Sequence, residues 1–160
     1  MTMRDLNSGF SAVNALVPQT ISTSALNTGN ESLAGYSGAQ IIVALGSIDG
    51  MGAGSPTGGS IAVKVEHADD NGSGSPSSYA NVTDADIVGA AASISAGVVK
   101  TFQGLPTGSL AEIFQFSYFG DEDCIKVTLT PTGLGAGGPV VIIVNKGRAR
   151  HAPAGVTQTP

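Results

Sequence analysis

The chain contains no tryptophan, and only 5% of its 160 residues are aromatic. Sugar-binding faces and single-stranded nucleic-acid channels both stack their ligands on aromatic rings, so there is little here from which to build either. Charge is scarce as well: 12% of the residues are Asp, Glu, Lys or Arg, with seven basic against twelve acidic side chains and a net charge of −5. Duplex binding requires clustered cations that neutralise phosphates, and no nucleic-acid partner is expected. Lys146, Arg148 and Arg150 form a small cluster expected to be exposed. It reads as a solvated strand end or, less simply, as a contact for an acidic patch.

A single cysteine, Cys124, excludes an intramolecular disulfide and any multi-cysteine metal site. It is compatible with folding in a reducing compartment. The longest apolar runs, Ile41 to Leu45 and Val140 to Val144, are five residues each, against the ~20 that a membrane helix requires. The opening Met1-Thr2-Met3-Arg4-Asp5 leads into polar residues without an apolar leader region. The expectation is a soluble protein made in the cytoplasm, with no membrane partner.

What remains is glycine, 23 residues of it, together with much Ser, Thr, Val and Ile. That composition suits short strands and many turns, and the length suits one domain. Residues 1–12 have no period and read as an N-terminal arm, 13–146 as the body, and 147–160 as a C-terminal tail. Val13 to Ile21 is apolar but broken by Pro18, which fits an edge strand because proline has no N–H for a ladder. Gln40 to Ile48 is a continuous apolar run and predicts a strand buried on both faces. Ile61 to His67 alternates, with Ile61, Val63 and Val65 on one side and Lys64 and Glu66 on the other. Tyr79 to Val82 and Gly97 to Phe102 are short strands. Asp84 to Ala92 is the one stretch suited to a helical turn, with Thr83 as its N-cap.

Glu112 to Phe119 and Cys124 to Thr130 read as a hairpin across the polar connector Gly120-Asp121-Glu122-Asp123. Phe114, Phe116 and Tyr118 share one face of the first strand, and Ile125, Val127 and Leu129 one face of the second. Pro139 to Val144 is the last buried strand. Seven or eight short strands separated by turns predict an all-β, single-domain β-sandwich, jelly-roll-like, with extended arms.

A search for chemistry finds no assembled set. No G-x-S-x-G pentad is present, and only His67 and His151 are available as imidazole bases. His67 continues the apolar face of its strand and reads as a strand-end histidine held by a hydrogen bond. His67-Ala68-Asp69-Asp70 with Asn71 and Ser73 faintly suggests a calcium loop, but Ala80 stands where the closing Glu belongs; a polar turn explains it. Asp121-Glu122-Asp123 reads as a loop tip. The glycine runs at Gly52-Ala53-Gly54 and Gly133 to Gly138 lack a following Lys-Ser/Thr and are not phosphate cradles. Acidic neighbours blunt Cys124 as a nucleophile. No catalytic, cofactor-binding or metal-binding residue is expected, and no cofactor.

Several segments resemble their counterparts in a family of small tailed-phage virion proteins. They are Leu33-Ala34-Gly35-Tyr36 leading into Gln40-Ile41-Ile42-Val43, Ile61 to Asp70 followed by Tyr79-Ala80-Asn81-Val82 and Asp86-Ile87-Val88-Gly89, and Phe116 to Gly120 with Ile125 to Thr130. The family is that of capsid decoration (cement) proteins and head spike bases of tailed phages and gene transfer agents. The sequence departs from it at Asp121-Glu122-Asp123-Cys124, where basic and aromatic residues are usual. The resemblance implies a non-enzymatic virion protein on the capsid exterior, bound to the major capsid protein at local three-fold axes or vertices, self-associated as a trimer or pentamer, with a head fibre as a further partner. A tail tube or tail-tip subunit and a carbohydrate-binding sandwich module are the competing readings.

Overall fold

The computed structural model describes residues 10–51, 58–72, 75–103 and 112–149. Period-two alternation of β-branched residues with small polar ones gives eleven strands and no helix among them. Seven strands are long: β1 (Phe10–Ile21), β4 (Tyr36–Leu45), β5 (Ser60–Ala68), β8 (Val98–Gln103), β9 (Glu112–Tyr118), β10 (Cys124–Thr132) and β11 (Gly138–Ala149). Four are two-residue stitches: β2 (Leu26–Asn27), β3 (Glu31–Ser32), β6 (Ala80–Asn81) and β7 (Ile87–Val88). They form two antiparallel sheets packed as a sandwich. The first runs β1-β11-β4-β9-β7; the second runs β2-β10-β5-β6, with β3 also on β10 and β8 on β5.

The core is aliphatic. Ile41, Val43 and Leu45 of β4 and Val140, Ile142 and Val144 of β11 face Ile61, Val63 and Val65 of β5 and Ile125, Val127 and Leu129 of β10, all buried. Phe102, Phe116 and Tyr118 are its large rings. Complete burial of each such side chain contributes about 1.5–3 kcal/mol, which is how a chain with so few aromatics holds two sheets together.

Pro18 lies in β1, at the edge of the first sheet, and the β1–β11 register shifts around Leu16 and Gln19. This is the expected place for a residue with no donor. β1 begins at Phe10 and β11 continues to Ala149, so residues 10–12 and 147–149 are paired strand rather than arm. Residues 1–9 and 150–160 of the expected arms lie outside the described residues.

Three local expectations are corrected. Glu112 to Phe119 and Cys124 to Thr130 do not form a hairpin: β9 pairs with β4 and β7, and β10 pairs with β5, β2 and β3. The 119–123 connector carries the chain from one sheet to the other. Both strands still aim their apolar faces at the same core, so the side-chain pattern is that of a hairpin while the ladders are not. Second, Asp84 to Ala92 makes one turn over 84–86 rather than a helix. Capping hydrogen bonds do form, with the Thr83 N–H and hydroxyl both donating to Asp86 Oδ2 (2.8 and 2.9 Å). Ile87 and Val88 then pair with Tyr118 and Ser117, and Gly89 (φ +91°) turns the chain away. Third, β4 is fully buried on one face only; Gln40, Ile42 and Ala44 on the other are half-exposed.

Gly137 (φ +77°) lies where a Cβ would strike the carbonyl of Ile21, closing the β1 end of the first sheet. Gly29 has a similar φ of +74° with open space around it. Gly29→Ala should therefore cost about 1 kcal/mol, from backbone strain alone, whereas Gly137→Ala should cost about 3 kcal/mol because backbone must also move. Urea unfolding of the two variants checks this, and equal losses would show that the contact at Gly137 is not confining.

Candidate functional site

Three regions carry the side chains that chemistry or recognition could use. At one end of the sandwich, β5 delivers His67 and β9 delivers Tyr118 from the opposite sheet. His67 Nδ1 lies 3.0 Å from the Tyr118 hydroxyl, with the rings edge to face at 5.9 Å between centroids. The hydrogen-bond partner expected for His67 is thus a residue across the core. Tyr118 is completely buried. Burial, with Asp86, Glu122 and Asp121 nearby, pushes its phenol well above the usual range, despite a hydrogen bond to the Glu122 backbone. A phenol held protonated in this way pins the sheets together and has no access to a substrate.

The 119–123 connector brings Glu122 beside Asp69 of the β5–β6 loop. Burial, then the shared hydrogen bond and charge of Asp69, raise the Glu122 carboxyl above its ordinary value, against the pull of His67. In the loop that suggested calcium, Asp70 Oδ1 accepts the Gly72 N–H (2.9 Å) and the Ser77 N–H donates to the Asp69 carbonyl (2.8 Å), while Ser73 lies outside the described residues. Among the described residues no group of three or more His, Cys, Asp and Glu side chains converges as a metal set. Cys124 is buried, and burial, with Asp70 next, raises its thiol. Burial thus contributes more than the acidic neighbours to which the sequence pointed.

The outer face of the second sheet is a charged lattice. Glu66 accepts from Lys64 on its own strand and from Lys126 directly opposite, each at 2.9 Å. Lys126 also lies 4.1 Å above the Tyr79 ring. Burial works against the Glu66 carboxylate, but the Lys126 and Lys64 hydrogen bonds and charges outweigh it and hold its pKa below the ordinary value. Two further pairs tie the sheets together at their margins, Lys100–Glu112 (3.7 Å) and Lys146–Glu31 (3.6 Å). Lys146, expected in an exposed basic cluster, is instead largely covered and paired. The Arg148 side chain, Arg150 and His151 lie outside what the structure describes, as does the Gly52-Ala53-Gly54 run. Gly133 to Gly138 packs against Asp49, whose Oδ2 accepts the Ala136 N–H (2.8 Å).

The outer face of the first sheet is the opposite in character. In register across it lie Val141, Ala44 and Ile113, then Ile143, Ile42 and Gln115, then Asn145, Gln40 and Ser117. Gly147 and Gly38 face each other in the next row, forming a shallow groove walled by Phe119. Sequence reading missed this face because it assigned the β4 run to two-sided burial. No family model matches the chain, and no curated protein does.

Glu66 and Glu122 have opposite pH signatures. A folded pKa below the unfolded one stabilises above the unfolded value, near 4.3, and that stabilisation is lost as pH falls through the folded value; this is Glu66. A raised folded pKa costs stability as pH rises through it; this is Glu122. At neutral pH, Glu66→Gln should lose about 1 kcal/mol and Glu122→Gln should gain about 0.5 kcal/mol, both modest because solvent screens them. Both differences should shrink as the pH falls below the ordinary carboxylate value, the Glu66 one last because its folded pKa is the lower. Thermal melts of each variant from acid to neutral pH decide the matter; a shift of the same sign in the two would contradict the assignment.

Proposed function

We propose that this chain is a structural protein of a tailed-phage virion, mounted on the capsid exterior, where it stabilises the shell by adding contacts between major capsid protein subunits. The reading is carried by the segments from Ile61 to Asp70, Tyr79 to Val82 and Asp86 to Gly89, which in that order resemble decoration and spike-base proteins. The fold is compatible with it. Those segments build β5, β6 and β7, and the body is a small sandwich whose surface offers flat sheet faces in place of a catalytic cleft among the described residues.

The chemistry of the role is mechanical. A decorating subunit gains strength from many simultaneous weak contacts on a repeating lattice, because linked binding events raise the effective concentration of each. It also needs a surface that stays soluble before assembly, and the net charge of −5 with an ion-paired outer sheet supplies that. An acidic exterior protein is repelled by DNA as well, which suits a component outside the genome-filled shell.

The test is to mix purified protein with capsid shells that lack it, pellet the shells and count bound copies. Saturable binding at the number of local three-fold positions, or of vertices, is the expected result. No binding to shells, with self-assembly into tubes or rings instead, would replace this reading with a tail subunit.

A further inference from the structure

We propose that the outer face of the first sheet is a two-fold interface with a second copy of this chain. The starting point is a mismatch. The β4 run Gln40 to Leu45 and the β11 run Val140 to Val144 have the largely apolar character of strands covered on both faces, yet the described residues cover only one. Ile42, Ala44, Val141 and Ile143 lie outward, with no described element over them. Ile113 beside them is 66% exposed. Of the four large hydrophobic side chains that the described residues leave exposed, Ile113 and Val88 face outward on this sheet, Phe119 walls its groove, and Val17 lies on its edge strand.

The charge distribution selects the occupant. In the registered rows of this face no Asp, Glu, Lys or Arg appears among the described residues, although the chain as a whole carries −5. A two-fold contact sets a patch against itself, so any net charge in the patch meets like charge. This is a sheet face that can meet its own copy without repulsion; the opposite face, with its Lys and Glu lattice, would have to match charges across the axis. Apart from Ser117 beside Gln40, the polar residues in its central rows are amides: Asn14, Gln40, Gln115 and Asn145. An amide carries both donors and acceptors, so it is complementary to another amide, as Asn145 donating to Gln40 within the chain already shows (3.1 Å).

The size fits too. Four long strands, each ~4.8 Å across, with nine register pairs along β4 and β11, give a projected face of at most about 20 by 30 Å, or ~600 Å². Accessible area exceeds projected area, which brings the face close to the ~800 Å² per partner of a standard stable interface. Two such faces would pack as the sheets of a sandwich do, ~10 Å apart. The pair is argued from this face alone and does not rest on the capsid reading. It replaces the trimer or pentamer that the family resemblance implies.

Sedimentation equilibrium on the full chain reads the outcome directly. The expected mass is twice the 15.8 kDa chain. Ile113→Lys and Gln115→Glu place charge at exposed positions of the face, and each should weaken pairing at least about tenfold, since an unpaired charge would be desolvated in the contact. Thr130→Lys, on the outer face of the other sheet, should leave pairing unchanged, and circular dichroism should show all three variants folded. A monomer at ~100 μM overturns the proposal, whether the face is bare or covered by residues 1–9 or 150–160. So does a mass of three or five chains, or a pair indifferent to both face variants. No shells enter the measurement, so its failure and that of the capsid reading are separate results.

Discussion

Everything in this molecule hangs on two aliphatic faces meeting without much aromatic help. β4 and β11 align residue for residue over nine register pairs, so that Ile41 stands beside Val144, Val43 beside Ile142 and Leu45 beside Val140. The same alternation in β5 and β10 sets Val65 beside Val127 and Val63 beside Leu129. β-Branched side chains have few rotamers to lose, and they interdigitate between sheets at modest entropic cost. With so little ring area available, register replaces bulk as the source of a unique core: a one-residue slip would turn each apolar set outward. The Tyr118–His67 contact and the ion pairs at the sheet margins sit on top of that packing and depend on it.

Much of this was legible along the chain. The alternation in Ile61 to His67 and the edge placement of Pro18 are local signals, and local signals survive folding. What was not legible is partner choice. Phe116 and Tyr118 followed by a short acidic connector and Ile125, Val127 and Leu129 satisfy a hairpin and a sheet-to-sheet crossing equally well, since both put the apolar residues on the core side. Only the competing ladders with β4 and β5, distant in sequence, separate the two. The same limit hid the partner of His67, because Tyr118 lies 51 positions away on the other sheet. Lys146 looked solvated for want of knowing that Glu31 would stand opposite it. Thr83 and Asp86 do make the capping bonds their types suggested, but the pull of Ile87 toward the core ends the turn before a helix can begin.

The two outer faces divide the surface physically. One is polar by means of an ion-paired network in which Glu66 sits between two ammonium groups, and it gains from water. The other is apolar at its centre and amide-rimmed, and it gains from water's removal. The long apolar runs of β4 and β11 therefore serve two surfaces at once: alternate residues fill the core, and the residues between them form the open face.

Pro18 has a consequence beyond the geometry of its own strand. An edge with a run of unpaired amides recruits further strands and grows without limit, into fibrils. Here the longest edge is broken by a residue with no amide hydrogen and by a shifted register, and the far edge of the same sheet is the two-residue β7. Lateral growth is thus blocked on both sides of the first sheet while its broad face stays open. A molecule built this way can meet others through a face without lengthening its sheet, so contact between molecules is kept apart from fibre growth.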